Sequence, residues 1–412
     1  MKPLHMAKTL LLFSCMLFFI LSKAQYKNDN LLFKTVYPEN LCKELNQHPG
    51  ALILDVRSPG EYNDTSSSTG LNIGHIKGSM NIDVRQLPQQ LQSLESYKDK
   101  PVFVYCSHSQ RSRRASKLLA DSGFNNVINV NGGMTAIRAL DHEQVPCTET
   151  LLESKNKYAI ISAAGLCKKV QSHSKDILLL DVRPDSAWLH ISSNSKVNAM
   201  GSFKNTRHIA LSVLPSQIRD LPKNTEIVVT DNFGGDAARA AGLLNENGFR
   251  KVSVFLEGID KWLMSYHDKT NCSDLYIPAT QYSIISSIEF GKLLKDNNEF
   301  LVLDVRPRDE FINNAKDYYK NIGHLKNAVN IPYTELADRR KEIEAYLSKP
   351  VFVYGFSGSP EAYTAANTLV QNGFTNVKLL AGGLFNIRWT AANVAGMNQL
   401  EALVSDVPSE NK

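Results

Sequence analysis

The sequence predicts an α/β protein made of three tandem three-layer α/β/α domains, each with a mainly parallel central sheet. Three observations lead there. Apolar runs of four to six residues alternate with amphipathic stretches along the 412-residue chain, which is the pattern of βαβ units. The same landmarks recur three times at near-constant spacing, and internal periodicity of this kind fixes the domain count. Each unit has the length of a domain with its own core.

Taken in chain order, each copy opens on a buried-strand signal ending in Asp-Val-Arg: LILDVR to Arg57, LLLDVR to Arg183 and LVLDVR to Arg306. A histidine followed by an aliphatic residue comes next, at His75-Ile76, His208-Ile209 and His324-Leu325. A second apolar strand then runs into a short polar loop and a helix: VFVYCSHSQRSRRAS from Val102, IVVTDNFGGDAARA from Ile227, and VFVYGFSGSPEAYTA from Val351. The residue that opens this loop stands 51, 50 and 51 residues after the aspartate of the first strand. A Gly-Phe turn follows the helix at Gly123, Gly248 and Gly373, and each copy closes at Gly132-Gly133, Glu257-Gly258 and Gly382-Gly383. Domain limits fall at 30–147, 151–272 and 278–398, with 399–412 read as a polar C-terminal tail. Asn63 to Asn72 and Ser192 to Thr206 read as solvated polar insertions beside the cleft.

Lys2 and Lys8 precede an apolar run from Leu10 to Leu21, and Ser22-Lys23-Ala24 supplies small residues for cleavage. Residues 1–24 are therefore expected to be a signal peptide that sends the protein outside the cytoplasm, to a periplasm. The run is short of the roughly 20 apolar residues a spanning helix needs, so no retained membrane anchor is expected. LLFSC around Cys15 resembles a lipobox with a very short apolar lead, which leaves a lipoprotein as the weaker reading. Losing the leader lowers the formal charge from +5 to about +2. No basic stripe interleaved with aromatics occurs, so nucleic acid is not an expected partner. The absence of Cys-x-x-Cys, clustered histidines and a Walker-type loop gives no metal or cofactor a candidate site.

Five cysteines remain after the leader, in a compartment that permits disulfides. Cys42 and Cys167 occupy nearly the same place in copies one and two, and Cys147 and Cys272 follow those copies. Both separations are 105 residues, and the third copy lacks both members. Two matched bridges, Cys42 to Cys147 and Cys167 to Cys272, are the favoured reading. Four buried thiols acting as small hydrophobes remain the alternative.

Cys106 is left over, and it opens the loop of the first copy. A thiolate there is stabilised by the backbone N–H groups and positive end of the helix that follows. Ser107, His108, Ser109, Gln110 and Ser112 form the rest of the cradle, and Arg111 is placed to hold an anion with its two-pronged guanidinium. Arg113 and Arg114 are read as solvent-facing. The other copies place Asp231 and Gly355 at the opener, with Asp236 and Glu361 opposite Arg111, so their loops are acidic where the first is cationic. Asp55, Arg57 and His75 have counterparts in these disarmed copies and are read as scaffolding, with a buried Asp–Arg pair bracing the strand end.

The Asp-Val-Arg strand, the Gly-His-Ile turn, the Tyr-Cys loop ending in Arg-Ser and the closing Gly-Gly resemble the rhodanese family, in all three copies. The resemblance implies a sulfurtransferase: Cys106 takes sulfane sulfur from a thiosulfate-like anion, becomes a persulfide, and passes the sulfur to cyanide, a thiol or a protein acceptor. It implies that amides from Ser107 to Ser112 cradle the charged sulfur and that Arg111 binds the donor. Rhodanese-like phosphatases of the cell-cycle type have a loop one residue longer than CSHSQR, so the loop length favours sulfur over phosphate. Ser107 and Ser109 depart from the arginine and glycine of many relatives, which bears on donor preference. A non-catalytic scaffold and a thiol-redox role for Cys106 are the rival readings.

Overall fold

The computed structural model describes residues 32–140, 144–173, 176–265, 272–296 and 299–408. The leader and Cys15 lie outside the described residues. Each repeat forms one five-stranded, all-parallel sheet, and the strand order is the same in all three. In the first repeat the strands lie in the order Lys34–Val36, Val127–Val130, Val102–Tyr105, Leu52–Asp55, Met80–Asn81. Their side chains alternate between faces, as a period of two demands. Val102 and Val104 enter one core with Leu52, Leu54 and Leu119, while Phe103 and Tyr105 enter a second with Leu41 and Ile137. Two cores per sheet make the three-layer architecture, and the other repeats have the same pair.

The Asp-Val-Arg signal ends the second strand of each sheet. Arg57 is fully buried and donates to both carboxylate oxygens of Asp55, at 2.7–3.0 Å, and to the Gly74 carbonyl. Asp304–Arg306 repeats this, with Gly323 as the carbonyl, and Asp181–Arg183 reaches the Met200 carbonyl. Burial works against each charge, and the partner compensates it.

The histidine turns divide differently from their sequence pairing. His75–Ile76 and His324–Leu325 form short antiparallel pairs with Leu152–Glu153 and Val404–Ser405. In repeat two Ser202–Phe203 takes that place, against Tyr276–Ile277. His208 instead lies on the sheet beside Asp181, where repeats one and three have Asn81 and Asn330. It does their work, since His208 Nε2 contacts the Arg183 carbonyl as Asn81 and Asn330 contact those of Arg57 and Arg306. The cause is spacing: His208 stands 27 residues past its aspartate, His75 and His324 only 20.

These pairings also move the domain limits. Residues 152–153, 276–277 and 404–405 return to complete the repeat before them. The expected C-terminal tail is thus structured through a 3₁₀ turn at Asn398–Leu403 and the strand Val404–Ser405. The polar insertions are not merely solvated either. Thr69 donates to the Gly235 carbonyl at the start of the second repeat's loop helix, and Ser195 to the Pro360 carbonyl at the start of the third's. Each insertion packs against the start of the next repeat's loop helix. No helix among the described residues is long and apolar enough to cross a membrane.

Both expected disulfides join, Cys42–Cys147 and Cys167–Cys272, each with Cα atoms 5.8 Å apart. Among the described residues Cys106 is the free cysteine. Removing the first bridge (Cys42→Ser with Cys147→Ser) is expected to cost up to about 4–5 kcal/mol, the chain-entropy value for a loop of this length. Non-reducing peptide maps should recover the Cys42 and Cys147 peptides joined. Asp55→Ala, which leaves the Arg57 guanidinium buried alone, is expected to destabilise the first repeat by about 3–5 kcal/mol in denaturant titrations.

Candidate active site

Cys106 sits at the carboxyl end of the central strand Val102–Tyr105, where open α/β sheets place ligands. It is 1% exposed. Its carbonyl accepts from the Met134 amide at 2.9 Å and the Ser107 carbonyl from Thr135 at 3.1 Å. Gly133 makes this approach possible: a Cβ there would fall 2.2 Å from the Cys106 carbonyl oxygen. Ser109 turns the loop with φ 83°. It is buried, and its hydroxyl accepts from the Gly132 amide, while Ser112 Oγ donates to the Ser109 carbonyl. Gln110 opens the helix Gln110–Asp121.

Arg111 does not present an empty fork. Nη1 and Nη2 each donate to a Glu61 carboxylate oxygen at 2.6 Å, and Nη2 also donates to Ser107 Oγ at 2.7 Å. Burial alone would push the Glu61 carboxyl up, but Arg111 and the Ser58 amide outweigh it and hold it at about 2. The Arg111 guanidinium is raised in turn, first by Glu61, with the Cys106 charge adding to it. Glu61 is a site residue that the loop motif alone misses. The repeats do not announce it: Ala187 stands in its place in repeat two, but repeat three keeps Glu310 there although Glu361 stands opposite Arg111.

Two more residues of the loop region reach outside their own repeat. His108 Nε2 lies 2.6 Å from Glu257 Oε1 of repeat two, and its carbonyl accepts from Trp389 Nε1 of repeat three at 3.1 Å. Arg113, expected in solvent, is 6% exposed and donates to Asn131, to the Ala392 carbonyl and to Asn393. Arg114 is exposed as expected. An open cleft of about 570 Å³ lies between the three repeats, bordered by His108, Gln110, Lys196, Glu257, Lys261 and Trp389 among others; Cys106 and Arg111 are not among its lining residues. Asp55 and Arg57 are spent on each other, and His75 stacks on Tyr62 with ring centroids 4.1 Å apart.

The sibling loops reveal what the cradle holds. In repeat two the Asp231 carboxylate folds inward and accepts from the amides of Phe233, Gly234, Asp236 and Ala237. Those four amides correspond to His108, Ser109, Arg111 and Ser112. The loop does not simply repel anions, as its acidity suggested; it is filled by its own Asp231, whose carboxyl is pushed above its ordinary value by burial while the amides of Gly234, Ala237 and Asp236 pull the other way. In repeat three Lys196 of repeat two reaches the loop, where a Cβ on Gly358 would lie 2.7 Å from its Nζ. Because the Glu61 value in the fold is depressed, the stability contributed by its pair is complete above about pH 4.5 and is lost as the pH falls toward 2. Glu61→Gln is expected to flatten that part of the stability profile, measured by urea titrations across the acid range.

Comparison with known proteins agrees with this geometry. The Rhodanese-like domain model matches residues 38–140, 166–265 and 287–389, well over half of the chain. The uncharacterized protein YqhL of Bacillus subtilis is 34% identical over 104 residues, covering 24% of this chain and 74% of that protein. The tRNA uridine(34) hydroxylase of Escherichia coli K12 is 29% identical over 100 residues, covering 23% of this chain; the match spans only 26% of the hydroxylase. Among solved structures, a thiosulfate sulfurtransferase from Pseudomonas aeruginosa aligns with 87% of this chain and 65% of its own, at 17% identity and TM-score 0.23. A rhodanese-like domain protein from Staphylococcus aureus aligns over 30% of this chain and all of its own, at 24% identity and TM-score 0.23. Three matches to one family model, on three sheets of the same strand order, establish that the chain belongs to the rhodanese-like domain family.

Proposed function

We propose that the protein is a sulfurtransferase with one active loop, in its first repeat, that moves sulfane sulfur from a thiosulfate-like anion to a thiophilic acceptor through a Cys106 persulfide. The observation that carries this reading is the filled loop of repeat two. A carboxylate there takes four backbone amides, and at the same position repeat one offers a thiol and no internal anion.

In the first step the Cys106 thiolate attacks the outer sulfur of thiosulfate. A Cys106 S–S bond forms, the S–S bond of the donor breaks, and sulfite leaves with the electron pair. The cysteine then carries a charged terminal sulfur, which the loop amides stabilise as they stabilise the carboxylate in repeat two. Arg111 balances the anionic donor while Glu61 and Ser107 hold its orientation. In the second step cyanide or a thiolate attacks the terminal sulfur, leaves as thiocyanate or a new persulfide, and returns the Cys106 thiolate. We further propose that the chain is exported after cleavage of residues 1–24, a reading that the two disulfides support.

Purified protein lacking the leader, incubated with thiosulfate, is expected to gain one sulfur atom by intact mass and to release thiocyanate on addition of cyanide. Cys106→Ser should do neither. A wild-type protein that takes up no sulfur and forms no thiocyanate would rule out the transferase and leave a scaffold role. Arg111→Lys, which keeps the charge and loses the fork, is expected to raise KM for thiosulfate about tenfold, with the persulfide still detectable at saturating donor.

A further inference from the structure

One residue breaks the closing-turn pattern of the three repeats at a conformational cost. Gly132 and Gly382 open that turn with φ 71° and 72°; Glu257 holds the same left-handed region with φ 54°, where a side chain is disfavoured. Its carboxylate makes its 2.6 Å contact outside its own repeat, with His108 of the active loop. From there a continuous chain of hydrogen bonds runs around the loop. His108 Nδ1 lies 2.9 Å from Ser107 Oγ, which accepts from Arg111 Nη2 at 2.7 Å, and Arg111 is clamped by Glu61. Trp389 of the third repeat fixes the same histidine through its carbonyl.

We propose that Glu257 and Trp389 are positioning residues for the first repeat's loop, which is therefore incomplete without the two repeats that lack a nucleophile; this rests on the sulfur-transfer reading above. The donor and acceptor roles at the two ends of this chain are fixed by its charged members. Burial works to raise the Glu257 carboxyl, but Lys261 and His108 hold it at about 2, so it only accepts and Nε2 carries the hydrogen. Arginine only donates, so Ser107 Oγ accepts from Arg111 while its contact with Nδ1 ties it to the ring. The chain thus holds the Ser107 hydroxyl that meets Arg111 Nη2, the same nitrogen that donates to Glu61. Thr135 Oγ1, 3.2 Å from Nε2, and the Lys261 ammonium, 3.5 Å from Glu257, complete the surroundings of the pair. Lys261 also lies 5.9 Å from the Trp389 ring centroid, which ties the two outer contacts together.

The discriminating variant is Glu257→Gly, because it restores the glycine of both sibling turns. It is expected to unfold at the same temperature as the wild type or higher, yet to load sulfur from thiosulfate about tenfold more slowly in single turnovers. Glu257→Gln keeps the accepting oxygen and should recover most of that loss; Trp389→Phe, which removes the N–H and keeps a ring, should slow loading while unfolding normally. Nitrogen-15 spectra of the His108 ring should show hydrogen on Nε2 in the wild type and a changed tautomer balance in Glu257→Gly. Wild-type loading by Glu257→Gly, or slower loading matched by a fall in unfolding temperature, would overturn the proposal. If the wild type takes up no sulfur, the transferase reading fails, and the ring spectrum decides the positioning claim by itself: an unchanged tautomer in Glu257→Gly overturns it.

Discussion

The hydrogen bond from the Met134 amide to the Cys106 carbonyl decides where the sulfur lies, and the functional end of each repeat is organised around its equivalent. Ile259 donates to Asp231 and Leu384 to Gly355 in the same way. The donor must come very close, and a side chain on the preceding residue cannot fit. A Cβ on Gly258 or Gly383 would lie 2.6 or 2.5 Å from the opener's carbonyl oxygen, as one on Gly133 would lie 2.2 Å away. The second glycine of the turn is thus required by backbone packing whatever the loop contains. At the first, a Cβ would meet a side-chain Cβ of the following helix, at 2.3 Å for Gly132 and 2.5 Å for Gly382, and repeat two alone of the three places a side chain there.

Once the opener is pinned, the loop amides converge on whatever its side chain presents, and the three repeats differ in what fills the space. Asp231 supplies its own anion. Lys196, paired with Asp260 at 2.8 Å, approaches the third loop from the neighbouring repeat. Insertions from the preceding repeat also pack against the start of both of those loop helices. The first loop is covered differently, by the third repeat at Arg113 and His108, while Arg111 stays 24% exposed in its side chain and the adjacent Arg85 stays 79% exposed. Both guanidiniums carry carboxylate partners, Glu61 and Asp83, so the solvent-facing side of this loop presents ion pairs.

The sheets, the loop and its opener, both disulfides and the scaffolding pair were legible in the sequence, because each follows from local periodicity or from spacing repeated between copies. What was not legible depends on contacts between repeats. Arg113 has the composition of a solvated helix face, and only the arrival of Ala392 and Asn393 makes its burial possible. The bond between Thr69 and Gly235 likewise joins residues 166 apart in sequence, with no periodicity to announce it. His208 misled for a simpler reason. A motif of one histidine and one aliphatic residue carries little information, and the seven-residue excess in spacing was the better signal. Glu61 was hidden in a capping box with Ser58, a local role sufficient to explain it until Arg111 was seen on its carboxylate.

Consistency between local preference and global fold is the rule, and the places that break it are where function or strain concentrates. Among several such breaks, Glu257 and Arg113 stand beside the same loop, which Ser109 turns with a positive φ of its own. Glu257 occupies a glycine's conformation, and Arg113 is an arginine buried in an interface between repeats. Neither is explained by the needs of its own repeat, since the sibling turns use glycine and the sibling helices place Ala238 and Tyr363 where Arg113 stands. Stability alone would favour the sibling solutions. A chain that keeps both exceptions at the junction of three repeats, around its one free described thiol, is built so that the repeats without a nucleophile hold the loop that has one.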